Sequence, residues 1–441
     1  MSIPSLTNEQ TATETAADIQ AGKLTAVDAT EAAIARIETL NDPINALVVR
    51  DFESARAAAK RLDETGPGAN QPLFGVPMTV KESFNLTGQP STWGLEHARN
   101  NIADSDAMVV QRLKRAGAVI LGKTNVPPEL ADWQSNNPVY GRTNNPHDPG
   151  RTPGGSSGGG AAAVAAGMVP CEFGSDIGGS IRVPAHYCGI WGHKPTFDVI
   201  TLEGHSYPGT DSARPALSVC GPLARSAEDL ATLLDVTLDH PLERRDVQIK
   251  GTRFLLVDEQ PMTGCASAYR AELDRVASTI EDAGGQVERR SELVPDLEQS
   301  HESYLKMLNI AMAGGLPAPD GTQATVRDWF DLCDIQARIT RQWRDLFGTF
   351  DFVLAPVSAT PAFPHHEGQI FQSDIAVDGE KLPSAPQLAW AGIVTFPGLP
   401  STVLPVGTVD DMPVGMQVIG DKLQDFQTIA AAGQIGALLK G

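Results

Sequence analysis

The chain has 441 residues, of which 41% are hydrophobic and 6% aromatic, with 42 glycines and 32 prolines. That is material for a large α/β core with many short connections rather than for a helical bundle. A formal net charge of −20 with no basic run excludes nucleic acid as a main partner, because phosphate binding needs clustered Lys and Arg.

The N-terminal stretch is polar and unlike a signal peptide, and no apolar run is long enough to cross a bilayer, so a cytoplasmic protein without a membrane partner is expected. Residues 7–37 carry a helical period on Ala16, Ile19, Val27, Ala33, Ile34 and Ile37. Gly22 and Lys23 split it into two helices, the second capped by Thr25. Residues 45–50 read as a strand, 52–62 as a charged helix and 66–70 as a turn. In residues 73–81, Val76, Met78 and Val80 alternate with Pro77 and Thr79 and lead to Lys81: a buried strand that finishes in a lysine. Residues 105–115 predict an amphipathic helix, 118–121 a buried strand, and 129–133 the start of a helix after Pro127 and Pro128. Asn, Pro and Gly make 136–153 a loop.

Residues 154–185 hold two glycine clusters with serines, separated by an Ala-rich run, 159–167, that predicts a tightly packed helix. Beyond them, 226–237 is a helix capped by Ser226, 253–257 a strand, 268–283 a strong amphipathic helix and 286–288 another strand. This β-α-β order predicts parallel pairing. Residues 301–347 are mainly helical with a break at 314–322. A strand follows at 351–355, apolar runs at 401–404 and 415–419 could complete the sheet, and 426–439 is a terminal helix. The cysteines (Cys171, Cys188, Cys220, Cys265, Cys333) are odd in number and lack metal-ligand spacing, and read as reduced, mostly buried thiols.

Two motif matches fail on context. Residues 117–124, GAVILGKT, satisfy the phosphate-loop pattern, but their four spacer residues are themselves the strand, whereas a phosphate loop must be irregular and follow one. Residues 154–158, GGSSG, satisfy the nucleophile elbow of an α/β-hydrolase-like esterase. That elbow needs a strand immediately before it, and the Pro-rich 146–153 cannot be a central strand. It also needs a histidine base. His186, His193, His205, His365 and His366 follow, none in an obvious site loop.

A third match takes in the whole assembly. Lys81 within GVPxxVK (75–81), GGSSGG (154–159), GSDIGGSIR (174–182) followed by VPA, and GHKPT (192–196) stand in order. GKTN (122–125), GPL (221–223) and PVGMQVIG (413–420) accompany them. The chain thereby resembles the amidase signature family from about residue 25 to its C-terminus. The resemblance implies an α/β fold: a single domain over residues 1–441 with a mixed, mostly parallel central sheet covered by helices on both faces, and a catalytic core region at 70–225.

The resemblance also implies chemistry. Matched residue by residue, the family's triad falls on Lys81, Ser156 and Ser180. Ser180 would be the nucleophile and Ser156 a proton relay to Lys81, and the peptide before the relay serine, Gly155–Ser156, would be cis. A serine hydroxyl must lose its proton as it attacks, so the lysine must be neutral at rest, although its unperturbed pKa is about 10.4. Burial and nearby positive dipoles would have to lower it. Ile177, Gly178, Gly179 and Ser180 would offer backbone amides to the oxyanion. Ser157 would support the site by hydrogen bonding, and Asp176 and Arg182 would pair to hold the turn. No metal or cofactor is required.

The family includes fatty-amide, aryl-amide and peptide-amide hydrolases, carbamate-cleaving members and an amidotransferase component that frees ammonia from glutamine. Residues 201–215 depart from that component's usual run, which favours a free-standing amidase acting with water on a small amide, as a monomer or homodimer. Segments 130–137, 204–212, 304–316 and 386–396 offer Trp133, Tyr207, Met307, Met312, Trp390 and Phe396 to a pocket. Apolar or aromatic amides are expected, with anilides, carbamates and esters beside them; some of these side chains would serve only as core.

Overall fold

The computed structural model describes residues 10–211, 215–314, 316–317 and 321–440. Its strands in chain order are β1 (Leu47–Arg50), β2 (Pro77–Lys81), β3 (Val119–Thr124), β4 (Asn136–Asn137), β5 (Gly141–Arg142), β6 (Cys171–Asp176), β7 (Trp191–Lys194), β8 (Val219–Ala224), β9 (Arg253–Leu256), β10 (Gln286–Glu288), β11 (Phe352–Pro356), β12 (Asp374–Val377), β13 (Glu380–Pro383), β14 (Ser401–Val409) and β15 (Met412–Ile419). Eleven of them form one sheet in the order β1-β3-β2-β6-β8-β7-β14-β15-β11-β9-β10.

The sheet is mixed, as expected, but not mostly parallel. Parallel pairing is confined to β3-β2-β6 and to β11-β9-β10. The run between them, β6-β8-β7-β14-β15-β11, is antiparallel throughout, and β1 pairs antiparallel with β3. The β9-helix-β10 unit pairs in parallel, as its spacing predicts. The apolar runs near the C-terminus are not a late addition at an edge. They extend into β14 and β15, the hairpin that joins the two parallel parts.

Side chains alternate across the sheet and divide between two large cores. Val119, Leu121, Leu255 and Val353 face one; Ile120, Phe254, Leu256 and Leu354 face the other. The first is covered by helices Ala26–Ile44, Gly158–Ala165, Arg182–Cys188, Leu297–Met312, Val326–Phe347 and Leu388–Thr395. The second is covered by Ala12–Gln20, Met108–Arg115, Ala227–Thr237, Ser267–Asp282 and Asp425–Leu438. Thr25 and Ser226 accept the capping bonds expected of them, from Asp28 N and Asp229 N.

Two local expectations fail. Residues 129–133 do not start a helix. A single 3-10 turn, Pro128–Leu130, stands there, with left-handed φ of 56° at Glu129 and 59° at Leu130. The loop 136–153 contains the small β4-β5 hairpin. The motif at 117–124 is strand β3, not a phosphate loop, and no strand immediately precedes Ser156, so no nucleophile elbow is built. All five cysteines are free thiols and all but Cys333 are buried.

Candidate active site

Three segments meet at the C-terminal ends of the parallel neighbours β2 and β6. β2 ends on Lys81. β6 ends on Ser175 and Asp176, and the chain then turns through Ser180 into helix Arg182–Cys188. The third segment is an irregular, bent run that carries Ser156 and Ser157 into helix Gly158–Ala165. The Gly155–Ser156 peptide is cis. A Cβ on Gly155 would overlap the Asp132 carbonyl oxygen, so only glycine fits there. Gly179, with φ of 92°, makes the second turn in a region that L side chains rarely enter.

Lys81 is fully buried. Its Nζ lies 2.7 Å from Ser156 Oγ, 2.9 Å from Ser175 Oγ and 3.4 Å from the Ser175 carbonyl. Burial lowers its pKa to about 7, and the carboxylates of Asp176 and Glu172 limit the fall. Glu172, earlier on β6, accepts from Thr79 Oγ1 and from Thr124 Oγ1 at 2.6 Å. Burial raises its carboxyl to about 8, so it is a weak counter-ion for Lys81 at neutral pH. Ser157 ties the segments together: its N–H donates to the Ser180 carbonyl at 3.1 Å, and its Oγ accepts from Ser175 N at 3.4 Å.

The turn around Ser180 is braced from several sides. Asp176 and Arg182 form a buried ion pair at 2.9 Å. Asp176 also accepts from the amides of Gly179 at 2.9 Å and Ile181 at 3.0 Å, and its pKa falls to about 2, held down against burial chiefly by Arg182. Arg182 reaches Ala391 O at 3.1 Å and Thr395 Oγ1 at 2.9 Å. Tyr304 OH donates to the Ile177 carbonyl at 2.9 Å, Trp133 Nε1 to the Gly178 carbonyl at 2.8 Å, and Val183 N to the Gly179 carbonyl at 2.7 Å. In a trans peptide the N–H points away from the C=O. Fixing the carbonyls of Ile177 and Gly179 therefore orients the amides of Gly178 and Ser180. The Gly179 amide departs from what its place in the motif suggests: it is already engaged by Asp176 inside the turn.

Ser156 and Ser180 line one cavity of about 40 Å³, with apolar walls from Trp93, Leu130, Ile177, Pro215 and Met312, and with Glu129 and His205. Of the side chains predicted for a pocket, Met312 lines it. Tyr207 stands one ring behind, edge-on to Trp93 at 5.9 Å. Trp133 is buried against Phe371 and acts on the Gly178 carbonyl. Met307 lines a separate groove with Trp329 and Cys333. Trp390 and Phe396 are completely buried in the core. Helix Leu388–Thr395 is buried on every side, so its tryptophan has no open face to present. Ser212 and Gly315, inside the expected pocket segments, lie outside the described residues.

Sequence reasoning does not single out Trp93, Glu129 or Ser175, and it reaches Leu130 and His205 only as members of the expected pocket segments 130–137 and 204–212. Ser175 stands inside the 174–182 motif, but its β-period only aims it away from Gly174 and names no partner. Trp93 reaches the cavity through a left-handed φ of 53°, which nothing in a tryptophan side chain signals. His205 sits in a candidate loop with no local signal at all.

A mixed eleven-stranded sheet with helices on both faces, together with the relatives of this chain, defines an amide-hydrolysing enzyme. The chain belongs to the Amidase family, whose model matches residues 28–315 and 309–429. It is 33% identical to "Fatty-acid amide hydrolase 2-B" of Danio rerio, over 98% of this chain and 90% of that one. It is 30% identical to the A-type component of the glutamyl-tRNA(Gln) amidotransferase of Deinococcus radiodurans, over 97% of each. A solved structure described as an amidase superposes with a TM-score of 0.83 at 26% identity, covering 97% of this chain and 99% of that one. Among the described residues no helix is long and apolar enough to cross a membrane.

Proposed function

We propose that this chain hydrolyses the C–N bond of small amides through an acyl-enzyme on Ser180, with Ser156 passing protons between Ser180 and Lys81. The observation that carries this reading is the 2.7 Å contact between Ser156 Oγ and the Nζ of a buried, weakly basic Lys81. Neutral Lys81 takes the Ser156 proton as Ser156 takes that of Ser180, and Ser180 Oγ bonds to the substrate carbonyl carbon. The amides of Ile177, Gly178 and Ser180 meet the oxyanion, while Gly179 shapes the turn. The relay returns the proton to the departing amine as the C–N bond breaks. Water, deprotonated through the same relay, then releases the acid. Asp176, Arg182 and Ser157 hold the loops in register. All of these residues fall inside the 70–225 region.

The apolar cavity walls and the name of the Danio rerio relative favour amides with an apolar or aromatic group, with anilides, carbamates and esters as further substrates. The Deinococcus radiodurans relative supports a second reading, release of ammonia from glutamine for a partner. A panel of aryl amides, alkyl amides, esters, carbamates and glutamine, run beside fluorophosphonate labelling, separates them. The expected outcome is hydrolysis of aryl amides that is indifferent to glutamine, with the label on Ser180 and both lost in Ser180→Ala. Labelling that persists at another serine overturns the assignment.

A further inference from the structure

The reaction proposed above uses no histidine, yet one stands a single hydroxyl away from Lys81. His205 is buried between Phe84, at 4.7 Å between ring centroids, and Trp93, at 5.1 Å. Its Nε2 lies 3.1 Å from Ser175 Oγ and 3.0 Å from Ser83 Oγ. Ser175 Oγ is in turn 2.9 Å from Lys81 Nζ. From the geometry of this chain, we propose that His205 is a positioning residue for Lys81, acting through Ser175: it draws the Ser175 proton to itself and so keeps the Ser175 lone pairs, not its O–H, turned toward the lysine.

The reason lies in the count of donors and acceptors. A neutral lysine has a single lone pair, and the relay needs it free for the Ser156 proton. A serine hydroxyl rotates, so Ser175, left alone, can point its own proton at that lone pair and compete with Ser156. A neutral imidazole that accepts from Ser175 at Nε2 removes the competitor, and in this arrangement Ser83 Oγ, at 3.0 Å from the same nitrogen, turns its own proton elsewhere. Burial and the nearby Lys81 and Lys123 keep His205 neutral, with a pKa of about 3. With the ring proton on Nδ1, Nε2 is the acceptor that faces Ser175 Oγ and Ser83 Oγ. The other titratable groups that face Lys81 are Asp176 and Glu172. Neither touches His205, so substitutions at 205 leave their fields in place.

This inference rests on the Ser180–Ser156–Lys81 reading, and its test keeps the two apart. His205→Phe preserves a ring between Phe84 and Trp93 but offers no acceptor; His205→Leu is a second such variant if the ring does not fit. His205→Gln restores an acceptor. With an aryl amide the proposed site turns over, kcat of the acceptor-less variant should fall on the order of tenfold, the effect of one typical hydrogen bond, with KM little changed. The acidic limb of kcat/KM should move to lower pH, because an ammonium at Lys81 loses a fixed acceptor. His205→Gln should recover most of both. In the Ser175→Ala background, loss of the acceptor at 205 should change nothing more. A wild-type pH profile in His205→Phe or His205→Leu, or losses that add to those of Ser175→Ala, overturns the proposal. Failure of the wild-type chain to label at Ser180 would instead strike the underlying reading.

Discussion

Lys81 and Lys194 end two strands of the same sheet, β2 and β7, and both are completely buried. Desolvation lowers each to about 7. By charge and burial they are equivalent. Their partners differ. Lys81 meets the hydroxyls of Ser156 and Ser175, whereas Lys194 meets the carbonyls of Pro195 at 2.7 Å and Leu399 at 2.8 Å. Lys123, lowered to about 8, is intermediate: it donates to the Pro90 carbonyl, and to Ser91 Oγ at 2.8 Å. A carbonyl oxygen can accept a hydrogen bond but has no proton to give, so Lys194 pins two loops and can do no acid–base work with these partners. A depressed pKa reports burial; the chemistry of the neighbour decides the use.

Substitution at the two lysines should break the equivalence in opposite directions. Lys81→Met should lower kcat/KM by about 10²–10⁴, the range for removing a general base, while the thermal midpoint stays near wild type. Lys194→Met should destabilise by roughly 2–4 kcal/mol, because it leaves two buried carbonyls unpaired. Its kcat per active site, titrated with a fluorophosphonate, should stay close to wild type. A stable but inactive Lys194→Met would collapse the distinction.

The pH dependence sharpens it further. Lys81 must be neutral to act as base, so kcat/KM should fall about tenfold per unit as pH drops below about 7. A limb that stays put in Lys194→Met, despite a second lysine with the same depressed value, would assign it to Lys81. A limb that vanishes with Lys194→Met would reassign it. The smallest effects should separate wall from core: Met312→Ala raises KM for an aryl amide several-fold, whereas Trp390→Phe changes KM by less than about twofold and costs stability instead.

Much of this architecture is legible in the chain. The helices capped at Thr25 and Ser226, the buried strand that ends in Lys81 and the β9-helix-β10 unit all follow from local period and capping chemistry. Lys81, Ser156 and Ser180 emerge as candidates through the family resemblance that the ordered motifs carry. The errors share a cause. The sense of strand pairing, which differs from expectation in the β8-β7-β14-β15 run, depends on which strands become neighbours, and period-2 alternation is the same for either sense. The failed helix at 129–133 comes from the two left-handed residues Glu129 and Leu130, whose side chains carry no mark of that conformation. Trp390 and Phe396 have the chemistry of pocket walls, but an aromatic ring serves a core as well as a pocket.

The sequence by itself therefore determined most elements and the order of the motifs, because those depend on residues close to one another along the chain, while the candidate reacting groups came through the family resemblance those motifs carry. Tertiary structure alone decided which buried lysine faces a hydroxyl across 75 positions of sequence, which amide of the Ile177–Ser180 turn is already engaged, and that His205 stands behind Ser175. These are hydrogen-bond choices made between distant segments at separations of about 3 Å, and no local pattern of side chains records them.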